Sequence, residues 1–155
     1  MSQFDDILGA DEPAPIGHNN PPDDRSEKAI QNDALVELWR VFMPLGCFWW
    51  RENTGTAWQG KKVKHDKDVL VLAEARPIKF GLEGIADIMG QVRGLAIAIE
   101  MKDSVGRQRK QQKLFEQAWV KAGGVYILAR TVPEAIRGVQ RALAQRRVES
   151  LSIKS

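Results

Sequence analysis

The run Leu95-Ala96-Ile97-Ala98-Ile99-Glu100-Met101-Lys102 constrains this chain more than any other segment. An uncharged apolar stretch leads directly into two opposite charges separated by one residue. In an extended strand, side chains alternate between faces. Ile97, Ile99 and Met101 then point one way, and Ala96, Ala98, Glu100 and Lys102 the other. Glu100 and Lys102 emerge side by side, roughly 6.5 Å apart along the strand. The pattern describes a strand that crosses a core and leaves it at a charged rim. Taken alone, that rim reads as solvated charge, since strand ends commonly carry it.

Asp87 sharpens the reading. It interrupts the apolar run Ile85-Ala86-Asp87-Ile88-Met89, which is bracketed by Gly84 and Gly90. A carboxylate inside such a run is costly unless it is paired or bound to a cation. Gly90 and Gly94 suggest a short connection, so the strand of Asp87 can pair with that of Glu100. Two carboxylates on adjacent strands, with a backbone carbonyl and waters, suit a hard cation. The alternative is an Asp that bonds backbone amides in a turn. One cysteine, Cys47, and two histidines leave no material for a Cys-rich or His-based metal site.

The remaining elements follow from periodicity and punctuation. The spacing of Ile30, Ala34, Leu38, Val41 and Phe42 predicts a helix over Glu27–Met43, with Ser26 as its cap and Pro44 and Gly46 as its stop. Cys47–Glu52 reads as a strand, broken by Asn53-Thr54-Gly55-Thr56. Lys61, Lys62, Lys64 and Lys67 suggest a basic loop, followed by a short strand over Asp68–Ala73. Arg76–Phe80, Ile85–Met89 and Gly94–Met101 read as strands. A helix is expected over Gln108–Ala122, burying Leu114, Phe115, Ala118, Trp119 and Ala122 and ending at Gly123-Gly124. Val125–Ala129 is continuously apolar, as in a strand covered on both sides. Pro133 opens a last helix whose inner face carries Ala135, Ile136, Val139 and Leu143. The expectation is an α/β fold, a mixed sheet flanked by helices in the order α-β-β-β-α-β-α. Residues 1–26, with four prolines between Asp11 and Pro22, read as a disordered acidic tail. Residues 27–146 form the domain, and 147–155 a flexible basic tail.

Charge is unevenly distributed. Residues 1–24 hold six acids and no base, which leaves 23 bases against 14 acids in the rest, a net +9. A body that basic suits a polyanionic partner, although a solubilising surface has the same composition. The start of the second long helix concentrates donors in Arg107, Arg109, Lys110 and Lys113. Cations there oppose the helix dipole, and phosphate would give them a reason to be there. The first residues carry neither a basic nor a long apolar run, so no secretory leader or membrane span is expected, and the protein is expected to be soluble and cytoplasmic.

In order along the chain these pieces resemble the virus-type replication-repair nuclease family, VRR-NUC, of the PD-(D/E)XK superfamily. The resemblance runs from Glu37 to Leu143. It rests on a helix bearing Glu37, the turn Arg51-x-Asn53-Thr54-Gly55, and Lys79-Phe80-Gly81-Leu82-x-Gly84-x-x-Asp87-Ile88-x-Gly90. Ile99-Glu100-x-Lys102, Gly106-Arg107, Gln112, Phe115 and Gly123-Gly124 complete it. Two positions depart from the pattern: Ala86 stands where the superfamily name has proline, and Arg109 replaces a small hydroxyl residue. The resemblance implies a restriction-endonuclease-like core and Mg²⁺ or Mn²⁺ held by Asp87, Glu100 and the Met101 carbonyl. Glu37 would be a further ligand or supporting contact. Lys102 would polarise the attacking water, and Gln112 would orient Lys102 or that water. Arg51, Asn53, Arg107, Arg109, Lys110 and Lys113 would contact DNA. It further implies a homodimer that cuts branched or duplex DNA in phage or prophage replication, recombination or repair, with no organic cofactor. Two other readings remain open: a catalytically silent DNA-binding module on the same fold, and an interaction protein whose basic face is only solvation.

Deleting residues 1–24 should leave the melting temperature unchanged, because the segment has little to bury. DNA affinity should rise slightly as six negative charges are removed. A large fall in melting temperature would show that the segment packs on the domain.

Overall fold

The structure, a computed structural model, describes residues 27–152. The acidic tail and Ser26 therefore lie outside the described residues. The elements are α1 (Glu27–Phe42), a 3₁₀ turn (Met43–Leu45), β1 (Cys47–Arg51), β2 (Gly55–Asp66), β3 (Val69–Phe80), β4 (Ile88–Val92), β5 (Leu95–Met101), α2 (Lys110–Lys121), β6 (Val125–Ala129) and α3 (Val132–Ser152). The fold is α/β. A four-stranded mixed sheet has the order β1-β4-β5-β6, and β2 and β3 form a separate two-stranded ribbon. The β1–β4 and β4–β5 pairs are antiparallel, and β5–β6 is parallel.

The alternation in β5 divides the molecule into two layers. Ile97, Ile99 and Met101 enter the main core with Ile88 and Val92 of β4, the α1 stripe Ile30, Ala34, Leu38 and Phe42, and Ala135, Val139 and Leu143 of α3. Ala98 lies on the other face with Ala86 and Met89, under Phe115 and Trp119 of α2. Polar bonds fasten α1 to β1: the Trp39 indole donates to the Trp49 carbonyl at 3.1 Å, and Arg51 donates to Gln31 and Asn32 at 2.8 Å each. At the start of α3, the Thr131 hydroxyl accepts the Glu134 N–H (3.3 Å) and Glu134 accepts the Arg130 N–H (2.7 Å). Those bonds satisfy amides that a helix start leaves without intrahelical partners.

Several expectations need correction. The lysine-rich segment is strand β2 rather than a loop, and it pairs with β3, a single strand that takes in both of the strands expected at Asp68–Ala73 and Arg76–Phe80. Lysines fit there because the ribbon is solvated on both faces and needs no apolar alternation. Regular pairing in β4 begins at Ile88, which places Asp87 just before the strand; its carbonyl accepts the Glu52 N–H at 2.9 Å. α2 begins at Lys110 and contains no buried residue. Leu114, Ala118 and Ala122 are exposed, because the small second cluster accepts only Phe115 and Trp119. β6 is an edge strand whose Val125, Ile127 and Ala129 pack on the main core and whose Tyr126 packs on the second cluster, but Leu128 is left exposed. The expected fraying beyond Gln145 is absent through Ser152, where Gln145 bonds Glu149 at 3.2 Å across one helical turn.

Leu38 is fully buried in the main core. Leu38→Ala should cost about 2–5 kcal/mol through lost burial and a residual cavity. Urea denaturation with an unchanged slope is the measurement. A cost below about 1 kcal/mol would mean that α1 is not packed as described.

Candidate active site

The β4–β5 pair places Ile88 opposite Ile99, and continuing that register brings Asp87 opposite Glu100. Asp87 Oδ2 accepts the Met101 N–H at 2.8 Å, so its side chain extends the ladder one step past the end of the strand. Asp87 thus bonds a backbone amide, as its structural reading expected, but that of the neighbouring strand rather than of a local turn.

Glu100 has no exposed surface, and Lys102 is 9% exposed. Lys102 Nζ lies 2.5 Å from Glu100 Oε1. The Gln112 amide donates to the same oxygen. An unpaired carboxylate at this depth would be prohibitive, and losing one partner of such a buried pair typically costs about 3–5 kcal/mol. Gln112 is held in turn by helix α2. Its Oε1 accepts the N–H of Arg109, the residue before the helix, at 2.8 Å. The amide thus spans from the backbone at the helix start to the carboxylate. Gln112 was expected to orient Lys102 or the attacking water; its amide bonds Glu100, the carboxylate that Lys102 also meets.

Two glycines set the walls. Gly84 has φ +83°, and a Cβ there would lie 2.5 Å from the Gln111 carbonyl, so only glycine lets this turn press against the start of α2. A Cβ on Gly106 would lie 2.8 Å from Asp103 Oδ1 and 3.1 Å from Lys102 Cδ, so the loop closes over the lysine stem. Asp103 Oδ1 accepts the N–H of Val105 (3.1 Å) and of Gly106 (2.5 Å). Arg130 donates to the carbonyls of Asp103 and Gly106. Sequence reasoning missed Asp103 and Arg130. The Asp-x-x-Gly spacing was a turn signal that pointed to the first. Nothing local marked the second, which reaches the loop from the far side of β6.

Asp87, Lys102, Gln112 and Arg109 open on one cleft of about 430 Å³, walled by Gly84 and by Thr56 and Lys79 at the foot of the ribbon. The other expected residues lie elsewhere. Arg107 and Lys110 are exposed at the approach to α2. Lys113 lines a different depression, beside Gln108 and Glu116. Arg51 is turned toward Gln31 and Asn32 of α1, and Asn53 is exposed in the turn after β1. Glu37 is not in the cleft. It pairs with Arg40 at 2.6 Å on α1, the helix packed on the opposite face of the sheet. The Arg40 guanidinium holds the Glu37 carboxyl below its ordinary value.

Tyr126 was also missed. It pairs in register with Ala98, on the sheet face that carries Glu100. Burial pushes its phenol well above the ordinary range. The Gln108 amide, donating at 3.3 Å, opposes that shift. The negative charges of Glu100, Glu116 and Asp87 reinforce it.

Among the described residues no group of three His, Cys, Asp or Glu side chains is placed to hold a metal ion. Asp87 and Glu100 supply two carboxylates, all-oxygen donors of the kind a hard divalent cation takes with waters completing its shell. No protein-family model matches the chain, and no curated protein is significantly similar to it. No helix among the described residues is long and apolar enough to cross a membrane.

Tyr126 is the chain's single tyrosine, so its ionisation can be followed alone by ultraviolet absorbance. Its folded pKa is raised. Above the unfolded value of about 10, the unfolded chain has lost the proton and the folded chain keeps it, so stability falls as pH rises from there. Phenolate absorbance should therefore appear only with unfolding. Reversible ionisation near pH 10 in the folded protein would contradict the buried placement.

Proposed function

We propose that this chain is a metal-dependent deoxyribonuclease with a restriction-endonuclease-like core, of the VRR-NUC type that its motifs resemble. The observation that carries the reading is Glu100: a fully buried carboxylate bridged by Lys102 and Gln112, two residues that line one cleft with Asp87 and Arg109. A structural ion pair gives no reason for this set to open on a cleft. A site that hydrolyses a phosphodiester does.

Asp87, Glu100 and the Met101 carbonyl would hold Mg²⁺ or Mn²⁺. Bound there, the ion lowers the pKa of water and stabilises charge on phosphoryl oxygens. The protein's own groups do the rest. Lys102 places a compact positive charge where negative charge develops during attack on phosphorus. Gln112 keeps the Glu100 carboxylate in one orientation. Arg109, with Arg107 and Lys110 nearby, binds the flanking phosphates. The reaction is attack by water on phosphorus with departure of one sugar oxygen. A homodimer would offer two such sites to the two strands of a branched substrate, as expected of a phage or prophage enzyme of replication, recombination or repair. The competing reading is a silent DNA-binding module. It is favoured by the absence, among the described residues, of a group of three His, Cys, Asp or Glu side chains placed to hold a metal ion.

Single-turnover cleavage of a four-way junction, run beside a binding titration, separates the two. Asp87→Ala and Glu100→Ala should each abolish cleavage in Mg²⁺ while retaining DNA binding. Lys102→Ala should slow turnover by roughly 10² or more, with affinity hardly changed. Lys102→Arg should rescue poorly, because a planar fork does not replace a compact ammonium. Equal losses of binding and cleavage in Lys102→Ala would reduce the lysine to a phosphate contact, and wild-type protein inert on every branched and duplex substrate would establish the silent module.

A further inference from the structure

The β2–β3 ribbon is the largest part of the fold that the cleft chemistry leaves unused. Its strands pair with each other, and among the described residues no other element packs substantially against them. Trp58, Val63, Val69, Leu70 and Val71 stand exposed. A two-stranded ribbon alone in water is marginal at best, so a partner is expected to cover this one.

The register says what kind of partner. Lys61 lies opposite Ala73, Lys62 opposite Leu72, Lys64 opposite Val71 and His65 opposite Leu70. One edge strand is therefore basic and the other apolar. The irregularity between Lys62 and Lys64 keeps Lys61 and Lys64 on one face and turns Lys62 to the other. The cations thus form a strip along the β2 edge that is visible from both faces. Toward the body the cations pass to the partner strand β3, with Arg76, bonded to Gln59 at 2.7 Å, and Lys79, opposite Thr56. Lys79 and Thr56 are walls of the cleft that holds Asp87, Lys102 and Arg109. Over residues 55–80 six Lys and Arg face three acids, and one of those, Glu74, is paired with Lys61 at 3.1 Å. At about 3.3 Å per residue the ribbon reaches roughly 40 Å, near the length of one duplex turn.

Taking the cleft to be a DNA-cutting site, as above, we propose that the β2–β3 ribbon is a DNA-gripping arm: the duplex leaving the cleft runs along it, with phosphates on Lys61, Lys62 and Lys64. Charge complementarity and direct continuity with the cleft favour DNA over a second copy of this chain, which would instead pair along the apolar β3 edge.

The test uses the full chain without divalent cations, so that binding is read apart from cutting. Anisotropy titrations with 12- and 30-base-pair duplexes over a range of salt compare wild type with Lys61→Ala/Lys62→Ala/Lys64→Ala. The salt slope should become shallower by about two to three units, at about 0.9 per lost phosphate contact. Affinity for the longer duplex should fall at least about tenfold, and by less for the shorter. An unchanged melting temperature secures the comparison, and Lys62→Glu/Lys64→Glu should reproduce the loss. Unchanged slope and affinity on the long duplex would overturn the proposal. So would a sedimenting dimer that Leu70→Lys dissociates while the triple variant binds DNA normally, since the arm would then be a self-association element. A failed arm leaves Mg²⁺-dependent cutting intact, whereas a failed nuclease reading abolishes cutting and leaves arm-dependent binding measurable.

Discussion

The rest of the site depends on the burial of the Glu100 carboxylate. A fully buried carboxylate at the end of a central strand needs compensating donors, and the fold supplies them from two directions. Lys102 comes from the same strand two residues on, and Gln112 from the first turn of α2. Gln112 reaches only because α2 starts where it does. That start is set by the Gly84 turn on one side and by the Asp103–Gly106 loop, tied to Arg130, on the other. The loop geometry around the cleft is thus largely the apparatus that keeps one charge inside.

The two faces of the sheet are loaded unequally. α1 and α3 pack a continuous apolar layer on the face of Ile97, Ile99 and Met101. α2 covers the other face with half-buried Phe115 and Trp119 and no fully buried residue. The fully buried apolar layer thus lies on the first face, and the cleft opens on the second. Elements with little buried apolar surface open locally at low cost. The helix that carries Gln112 and follows Arg109 is therefore the one freest to adjust to what enters the cleft.

The sequence made β5 and its consequences legible because alternation in a buried strand is unambiguous: a slip of one residue would send every side chain to the wrong layer. Asp87 and Glu100 came together through the short connection between their strands. The α1 stripe and the inner face of α3 were equally readable from 3.6-residue spacing. The ribbon was not, because a strand solvated on both faces carries no burial pattern and its lysines look like those of a loop. The exposure of Leu114 and Leu128 was hidden for the converse reason: apolarity does not report whether a neighbour exists to cover it. Glu37 and Lys113 looked suitable by residue type and order, and only the third dimension separates them from the cleft.

The bond from the Met101 amide to Asp87 has a bearing on how such chains diverge. Asp87 closes the backbone ladder just before β4 begins, so an acid here serves the architecture whether or not any bond is ever cut. A lineage that lost turnover would still be under pressure to keep it. The presence of that aspartate in a relative is thus a weak mark of a working enzyme. On the proposed reading, the divergence that separates cutters from mere binders should fall instead on the Glu100–Lys102 pair, whose burial is costly to maintain.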